Sequence, residues 1–350
     1  MRRLKARYWW LLSAVWFAIA GCYWATYFYQ KRQLKRLQYE QKILEHVFDK
    51  LDIKNPKPRP AISDPTRLQV HVEALAKPRF TSSERKRARH YIVQVISRCG
   101  YTPMRETFAS GMNIVATKRG RLSPPSIIVI GAHYDTVQNS PGANDNASGV
   151  AAVLEIACHL KTVDTQLSYR FIFFDGEEQN MLGSKAHLNH QSRRQNIVGA
   201  VILEMIGSKC TKKGCQTWPK STPPWMKRTP GDFIAVVGDI SHLGLMSALA
   251  ESGATNRPHV HTIPVSGGGH AFPDSRRSDH SPFWDVGIDA VMVTDTGNFR
   301  YPHYHQMSDV SDHINYEFMA GVLDTVIDAV MKIDTSSLSL SPNTIPHSRQ

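Results

Sequence analysis

The feature that most constrains the fold of this chain is a set of short apolar runs without polar alternation. Ile127–Ile130 is the clearest example, because each of its side chains is a branched aliphatic group. A strand with no polar face is buried on both sides, as in a sheet covered by helices. Further strand-like runs occur at residues 113–117, 170–174, 198–203, 233–237 and 290–293.

Segments with helical periodicity separate these runs. The resulting order predicts an α/β fold with a mixed, mostly parallel central sheet and helices on both faces. Sheets of this kind place their functional sites beyond the carboxyl ends of the strands. The predicted helices cover about residues 67–77, 83–98, 148–160, 242–252 and 315–332.

The first sixty residues differ from the rest of the chain in charge. They contain thirteen Lys and Arg and four Asp and Glu, which gives +9 of the total net charge of +12. Because the remainder is nearly neutral, we predict no nucleic-acid partner.

An uncharged run, Tyr8–Tyr29, lies within this basic region and has aromatic residues at both ends. As a helix, at about 1.5 Å per residue, it is long enough to cross a hydrocarbon core of about 30 Å. We predict a single-pass transmembrane signal anchor at residues 8–29. The basic residues 1–7 would stay in the cytoplasm, and the rest of the chain would lie on the extracytoplasmic, periplasmic side of the cell membrane. Ile19–Cys22 also resembles a bacterial lipobox, so a lipoprotein acylated at Cys22 is the alternative.

Residues 30–61 are predicted to link the membrane to a folded domain. They comprise a charged helical stalk and a proline-rich linker, Asn55–Pro60, that breaks regular structure. The stalk's heptad pattern is too short to distinguish a coiled coil from a helix lying on the membrane or on the domain, so no oligomeric state is predicted. We assign the domain to residues 62–333 and a disordered tail to residues 334–350.

Imidazole and carboxylate groups follow the predicted strands. His133 and Asp135 come just after Ile127–Ile130, although such a pair by itself is common in loops. Asp145 lies in the glycine-flanked loop Gly142–Gly149, where helix capping alone would explain it.

The next strand ends are harder to explain without a cation. Asp175, Glu177 and Glu178 are three carboxylates within four residues, and they repel one another unless a proton or a cation lies between them. Glu204 closes another apolar strand, where an unpaired charge is costly. His305, much further along the chain, supplies another imidazole. Mixed imidazole and carboxylate ligands suit Zn²⁺.

The order of these motifs resembles the co-catalytic di-zinc aminopeptidases, the superfamily that includes glutamate carboxypeptidase, the transferrin receptor and the glutaminyl cyclases. The resemblance covers about residues 67–332. It is closest to bacterial members at the strand end Leu203–Gly207 and at the segment Ser278–Phe283.

The resemblance implies two zinc ions per chain, bridged by Asp145, and a peptide substrate. It also implies that Glu177 is the general acid and base and that Asp135 orients His133. The best-known members carry Asp at the position of Glu204, so this chain departs from the pattern by one methylene group. One zinc would be held by His133, Asp145 and Glu204, and the other by Asp145, Glu178 and His305.

Three further positions are open to interpretation. His303 is an alternative ligand, but the family spacing favours His305. Cys210 and Cys215 flank a short loop and are expected either to form a disulfide in an oxidising compartment or to stay reduced. Cys99 and Cys158 lie in apolar helical patterns and are expected to be unpaired core residues.

The function that these observations predict is metal-dependent hydrolysis of N-terminal peptide bonds, with a two-zinc-activated water and a glutamate base. A glutaminyl cyclase with a single zinc is one alternative, disfavoured by the short segment Gln179–Gly183. A non-catalytic binding ectodomain is the other. It is disfavoured because a coordinating residue fills every ligand position.

Overall fold

A computed structural model describes residues 28–36, 38–39, 41–47, 49–51 and 56–335. The chain divides into two compact units, Met1–Val47 and Phe48–Gln350, and the described residues of the first are helical. The predicted span lies outside the described residues except for Phe28 and Tyr29, as does the tail beyond Thr335. Within the described part, no helix combines the length and the apolar character needed to cross a membrane.

The second unit is built on one eight-stranded sheet, in the spatial order β1-β2-β4-β3-β5-β8-β6-β7. Strand β3 pairs in parallel with β4 and β5, β5 with β8, and β6 with β7, whereas the other three pairs are antiparallel. The predicted mixed, mostly parallel sheet is confirmed. The strands are Met104–Phe108 (β1), Gly111–Lys118 (β2), Ile127–His133 (β3), Ser168–Phe174 (β4), Ile197–Glu204 (β5), Phe233–Asp239 (β6), His259–Val265 (β7) and Ala290–Thr294 (β8).

Helices flank the sheet and account for the amphipathic segments of the sequence. They cover the centre of the sheet completely, since all seven residues of β3 are buried. The helices are Pro65–Leu75 (α1), Ser82–Arg98 (α2), Gly149–Lys161 (α3), Leu182–Leu188 (α4), Gln191–Arg194 (α5), Gly244–Glu251 (α6), Ser281–Asp285 (α7) and Tyr316–Thr335 (α8).

The sequence patterns missed the two strands at the edges of the sheet. Strand β1 is largely exposed and mostly polar, and β7 contains Pro264. An edge strand has neighbours on one side only, so it does not need a continuous apolar pattern and it tolerates proline.

Both cysteine pairs of the described domain form disulfides. Cys210 pairs with Cys215, which decides between the two interpretations of that loop. Cys99, at the end of α2, pairs with Cys158 of α3, so the expectation of unpaired core cysteines was wrong. The apolar pattern of each helix was read correctly, but it cannot show which residue of another helix lies opposite.

The end of the linker is bonded to the domain. Arg59 donates to Asp328 Oδ2 at 3.2 Å, and its backbone amide donates to Asn256 Oδ1 at 3.0 Å. The amides of Ile62 and Ser63 donate to the carboxylate of Asp324 on α8 at 3.1 and 2.8 Å. The chain therefore enters this unit along α8.

Candidate metal centre

The candidate site lies where three central strands end. His133 is the last residue of β3 and Glu204 the last of β5, while Glu177 and Glu178 follow β4. Because these strands are parallel neighbours, their carboxyl ends meet at one edge of the sheet. Asp145 comes from the irregular turn Ala143–Ser148, which precedes α3.

His133, Asp145 and Glu204 form the first ligand group. His133 Nε2 lies 3.3 Å from Asp145 Oδ1 and 3.4 Å from Glu204 Oε2. All three side chains are largely or fully buried.

Asp145, Glu178 and His305 form the second group. His305 Nε2 lies 3.1 Å from Asp145 Oδ2 and 3.2 Å from Glu178 Oε2. In each group, one donor atom per residue lies within 4.8 Å of the others. Asp145 therefore turns one oxygen toward each group, which is the arrangement of a bridging ligand.

The donor set fits divalent cations. The buried atoms Glu178 Oε1 and His305 Nε2 make no hydrogen bond within the described structure. Burial, reinforced by the charge of Asp145, raises the pKa of Glu178 to about 7. Although burial opposes it, the adjacent imidazoles of His133 and His305 hold the pKa of Asp145 well below its usual range. Buried carboxylates this close are stable together only with positive charge between them, and the mixed N and O donors suit zinc.

Glu177 lies beside the ligand groups and belongs to neither. Its Oε2 is 4.0 Å from His133 Nε2. Burial raises its pKa well above the usual value, and the nearby charges of Glu204 and Asp279 add to that effect against the opposing influence of His133. A carboxyl group of raised pKa beside a metal site is suited to accept and return a proton.

Asp135 lies against the histidine and is hydrogen-bonded to the acidic turn. Its Oδ1 lies 3.4 Å from His133 Nδ1. Its two oxygens accept the backbone amides of Glu177 at 3.1 Å and Glu178 at 3.2 Å. One buried carboxylate thus couples the end of β3 to the turn after β4.

A second buried carboxylate, Asp309, holds the turn of Asp145. Asp309 accepts the amides of Asn144 at 2.8 Å and of Asp145 at 3.1 Å. Asn146 connects the same turn to the end of β5, since it donates to Leu203 O at 2.9 Å and accepts the amide of Met205 at 3.1 Å. Helix capping, which the sequence offered as an explanation of this loop, is seen at Asn146, whose Oδ1 also accepts the amide of Gly149 at 3.0 Å, while the carboxylate of Asp145 faces the two ligand groups.

Arg79, which no sequence motif indicated, supports the same turn through hydrogen bonds to backbone carbonyls. It is 2% exposed and donates to the carbonyls of Tyr134 at 2.6 Å and Gly142 at 2.9 Å. Gly142 has a φ of +63°, and a Cβ there would lie 2.3 Å from Asp145 O, so only glycine fits. No local sequence signal distinguishes Arg79 from an ordinary surface arginine.

The segment around Asp279 also borders the site. Ser278 Oγ donates to Glu204 Oε2 at 2.7 Å, and Ser184 Oγ donates to Asp279 Oδ1 at 2.5 Å. The segment therefore lies beside the first ligand group and contributes structural hydrogen bonds. Ser278 was missed, although it directly orients a ligand.

His305 and His303 have different environments. His305 faces the second ligand group, and Tyr304 stacks on its ring with a centroid distance of 3.7 Å. His303 Nδ1 lies 2.9 Å from Ser308 Oγ, and its ring stacks on His313. The structure thus brings His305 to the site and leaves His303 outside it.

An open cavity adjoins the first ligand group at Glu204, and we call it the apolar cavity. Its floor is formed by side chains of β6, β7 and β8, such as Val237, Ile263 and Met292. One wall comes from the segment that follows the Cys210–Cys215 disulfide and includes Trp218. The sequence alone did not indicate this cavity.

The chain is similar to known proteins in both sequence and fold. The sequence model of peptidase family M28 matches residues 113–330. Protein YfbL of Escherichia coli K12 is 33% identical over 215 residues, which cover 57% of this chain and 65% of YfbL. Aminopeptidase YwaD of Bacillus subtilis is 30% identical over 233 residues, which cover 64% of this chain and 45% of YwaD.

Among solved structures, BSAP, a zinc aminopeptidase from Bacillus subtilis, superimposes with a TM-score of 0.50 at 25% identity. The superposition covers 66% of this chain and 52% of BSAP. The chain therefore spans less than two thirds of the length of each of these relatives.

Proposed function

The chain belongs to peptidase family M28, and from that premise we propose that it is a zinc-dependent aminopeptidase that hydrolyses the first peptide bond of its substrates. The observation that carries this proposal is the position of Asp145, whose two oxygens face two separate ligand groups. A single metal would need only one of these groups. The proposal therefore includes two zinc ions per chain.

The roles of the chain's own residues follow from the geometry. Bound zinc would supply Lewis acidity toward the scissile carbonyl and the attacking water. Glu177 Oε2 would take a proton from that water and pass it to the nitrogen of the leaving amine. Asp135 would keep Glu177 in place through its backbone amide, and it would keep His133 oriented through Nδ1.

The apolar cavity supports a preference for a large apolar first residue. It opens beside Glu204, so a side chain next to the cleaved bond can enter it. Burying a leucine-sized side chain there would contribute about 1.5–3 kcal/mol to binding.

We further propose that the enzyme acts outside the cytoplasm, tethered by residues 8–29. Disulfides persist in oxidising compartments, and the described domain contains two of them, which supports this location. A C-terminal reporter that is active only in the cytosol should then give no signal. A strong signal would reverse the proposed topology.

The test of the activity is a substrate panel assayed with and without a chelator. We expect release of leucine or phenylalanine from aminoacyl amides, its loss on chelation and its recovery with zinc. Cyclisation of N-terminal glutamine without hydrolysis of amides would instead identify a cyclase. Binding of peptides without turnover would identify a non-catalytic protein.

A further inference from the structure

A second cavity lies beside the turn that carries Glu177, and we call it the basic cavity. It opens between α4, α7 and the loop that carries His270. Its floor is continuous with the turn that carries Glu177, because Met181 donates its amide to Glu177 O at 2.8 Å. The basic cavity is lined by Asn180, Met181, Lys185, His270, Pro273, Arg276, Ser281 and Asp285.

The apolar and basic cavities share a wall, the segment 270–277. Residues of this segment line one cavity or the other in an interleaved order. The basic cavity thus borders both this shared wall and the turn that carries Glu177. Phe272, Asp274, Ser275 and Arg277 line the apolar cavity, whereas His270, Pro273 and Arg276 line the basic one.

Lys185 gives the basic cavity its charge. Arg276 is neutralised by Asp285, whose Oδ1 lies 2.6 Å from its guanidinium. Lys185 Nζ donates to Asn180 O at 2.8 Å, and among residues 56–335 no carboxylate lies within 4.0 Å of it. Two of its three ammonium donors are therefore free for a ligand.

We propose that the basic cavity is a carboxylate-binding subsite for the part of the substrate that follows the cleaved bond. The proposal rests on the proposed function and adds to it a substrate class, short or acidic peptides. A carboxylate is the only anionic group of an unmodified peptide, and it would accept hydrogen bonds from Lys185 Nζ. It comes from either of two sources, the C-terminus of a short peptide or an Asp or Glu side chain.

Two matched peptide pairs separate these sources. Leu-Ala-Ala is compared with its C-terminal amide, and Leu-Glu-Ala-amide with Leu-Gln-Ala-amide. Binding is measured by calorimetry on the zinc-loaded, full-length Glu177→Gln protein, so that the result does not depend on turnover. We expect the acidic member of at least one pair to bind about three- to tenfold more tightly, less so at high salt.

The variants assign this preference to Lys185. In Lys185→Met the ratio of affinities should fall to about one, whereas Lys185→Arg should retain it. Lys86→Met is the matched control, because it removes a charge from the exposed face of α2 and should keep the ratio of the parent protein. Equal binding within both pairs, or a preference that Lys185→Met retains, would overturn the subsite. If the parent protein, with Glu177 intact, fails to hydrolyse any of the peptides, the proposed function is refuted instead, since the binding comparison stands without turnover.

Discussion

The substitution Glu177→Gln should separate proton transfer from metal binding. Glu177 Oε2 is 4.0 Å from His133 Nε2 and belongs to neither ligand group, so its loss removes no metal ligand. Glutamine preserves size and hydrogen-bonding capacity but cannot act as a base. We expect kcat to fall at least about 10²-fold, which corresponds to about 2.7 kcal/mol in the activation barrier.

Glu178→Gln is the matched comparison, since the two residues are adjacent in sequence and equally buried. Glu178 Oε2 is 3.2 Å from His305 Nε2, within the second ligand group. This variant should lose zinc, and excess zinc should restore part of its activity by mass action.

The assay is kcat and zinc content for both proteins, purified in parallel. The reasoning is refuted if Glu177→Gln turns over substrate at near the parent rate. It is equally refuted if Glu177→Gln loses zinc as Glu178→Gln does.

Three further predictions concern stability. Burial raises the pKa of Asp289 to about 8, so the folded state keeps a proton that the unfolded state releases above about pH 4. The parent protein therefore loses stability as the pH rises from 4 to 8, whereas Asp289→Asn does not have this loss. In chemical denaturation, the free energy of unfolding of the variant should rise relative to that of the parent by more than about 1 kcal/mol over this range. Replacing Cys99 and Cys158 by serine should cost about 2–4 kcal/mol in the same assay under oxidising conditions, and no loss would contradict the bridge. A fragment that begins at residue 64 should have a lower melting temperature than one that begins at residue 56, because it lacks the hydrogen bonds of Arg59 to α6 and α8. Equal melting temperatures would show that these bonds do not contribute to stability.

The sequence predicted the centre of the fold better than its edges. A strand such as β3 must be apolar at every position, and that requirement is visible in Ile127–Ile130. Strands β1 and β7 satisfy weaker requirements at the edges of the sheet and left no such pattern.

The candidate site shows the same division. His133, Glu178 and Glu204 could be singled out because they follow strand ends, and the resemblance to the di-zinc aminopeptidases supplied the full set with Asp145 and His305. Arg79 and Asp309 could not, because they act through backbone atoms of residues distant in sequence. The pairing of Cys99 with Cys158 likewise depends on how α2 packs on α3, which neither helix encodes alone.

The central claim is that Asp145 bridges two metal ions, and zinc stoichiometry in Asp145→Asn tests it most directly. We predict close to two zinc ions per chain in the parent protein. Binding should weaken at both sites in the variant, because asparagine offers a single neutral oxygen in place of the two carboxylate oxygens that face the two ligand groups. The measurement is elemental analysis after equilibrium dialysis against buffered zinc. A variant that retains one zinc at the parent affinity would contradict the claim.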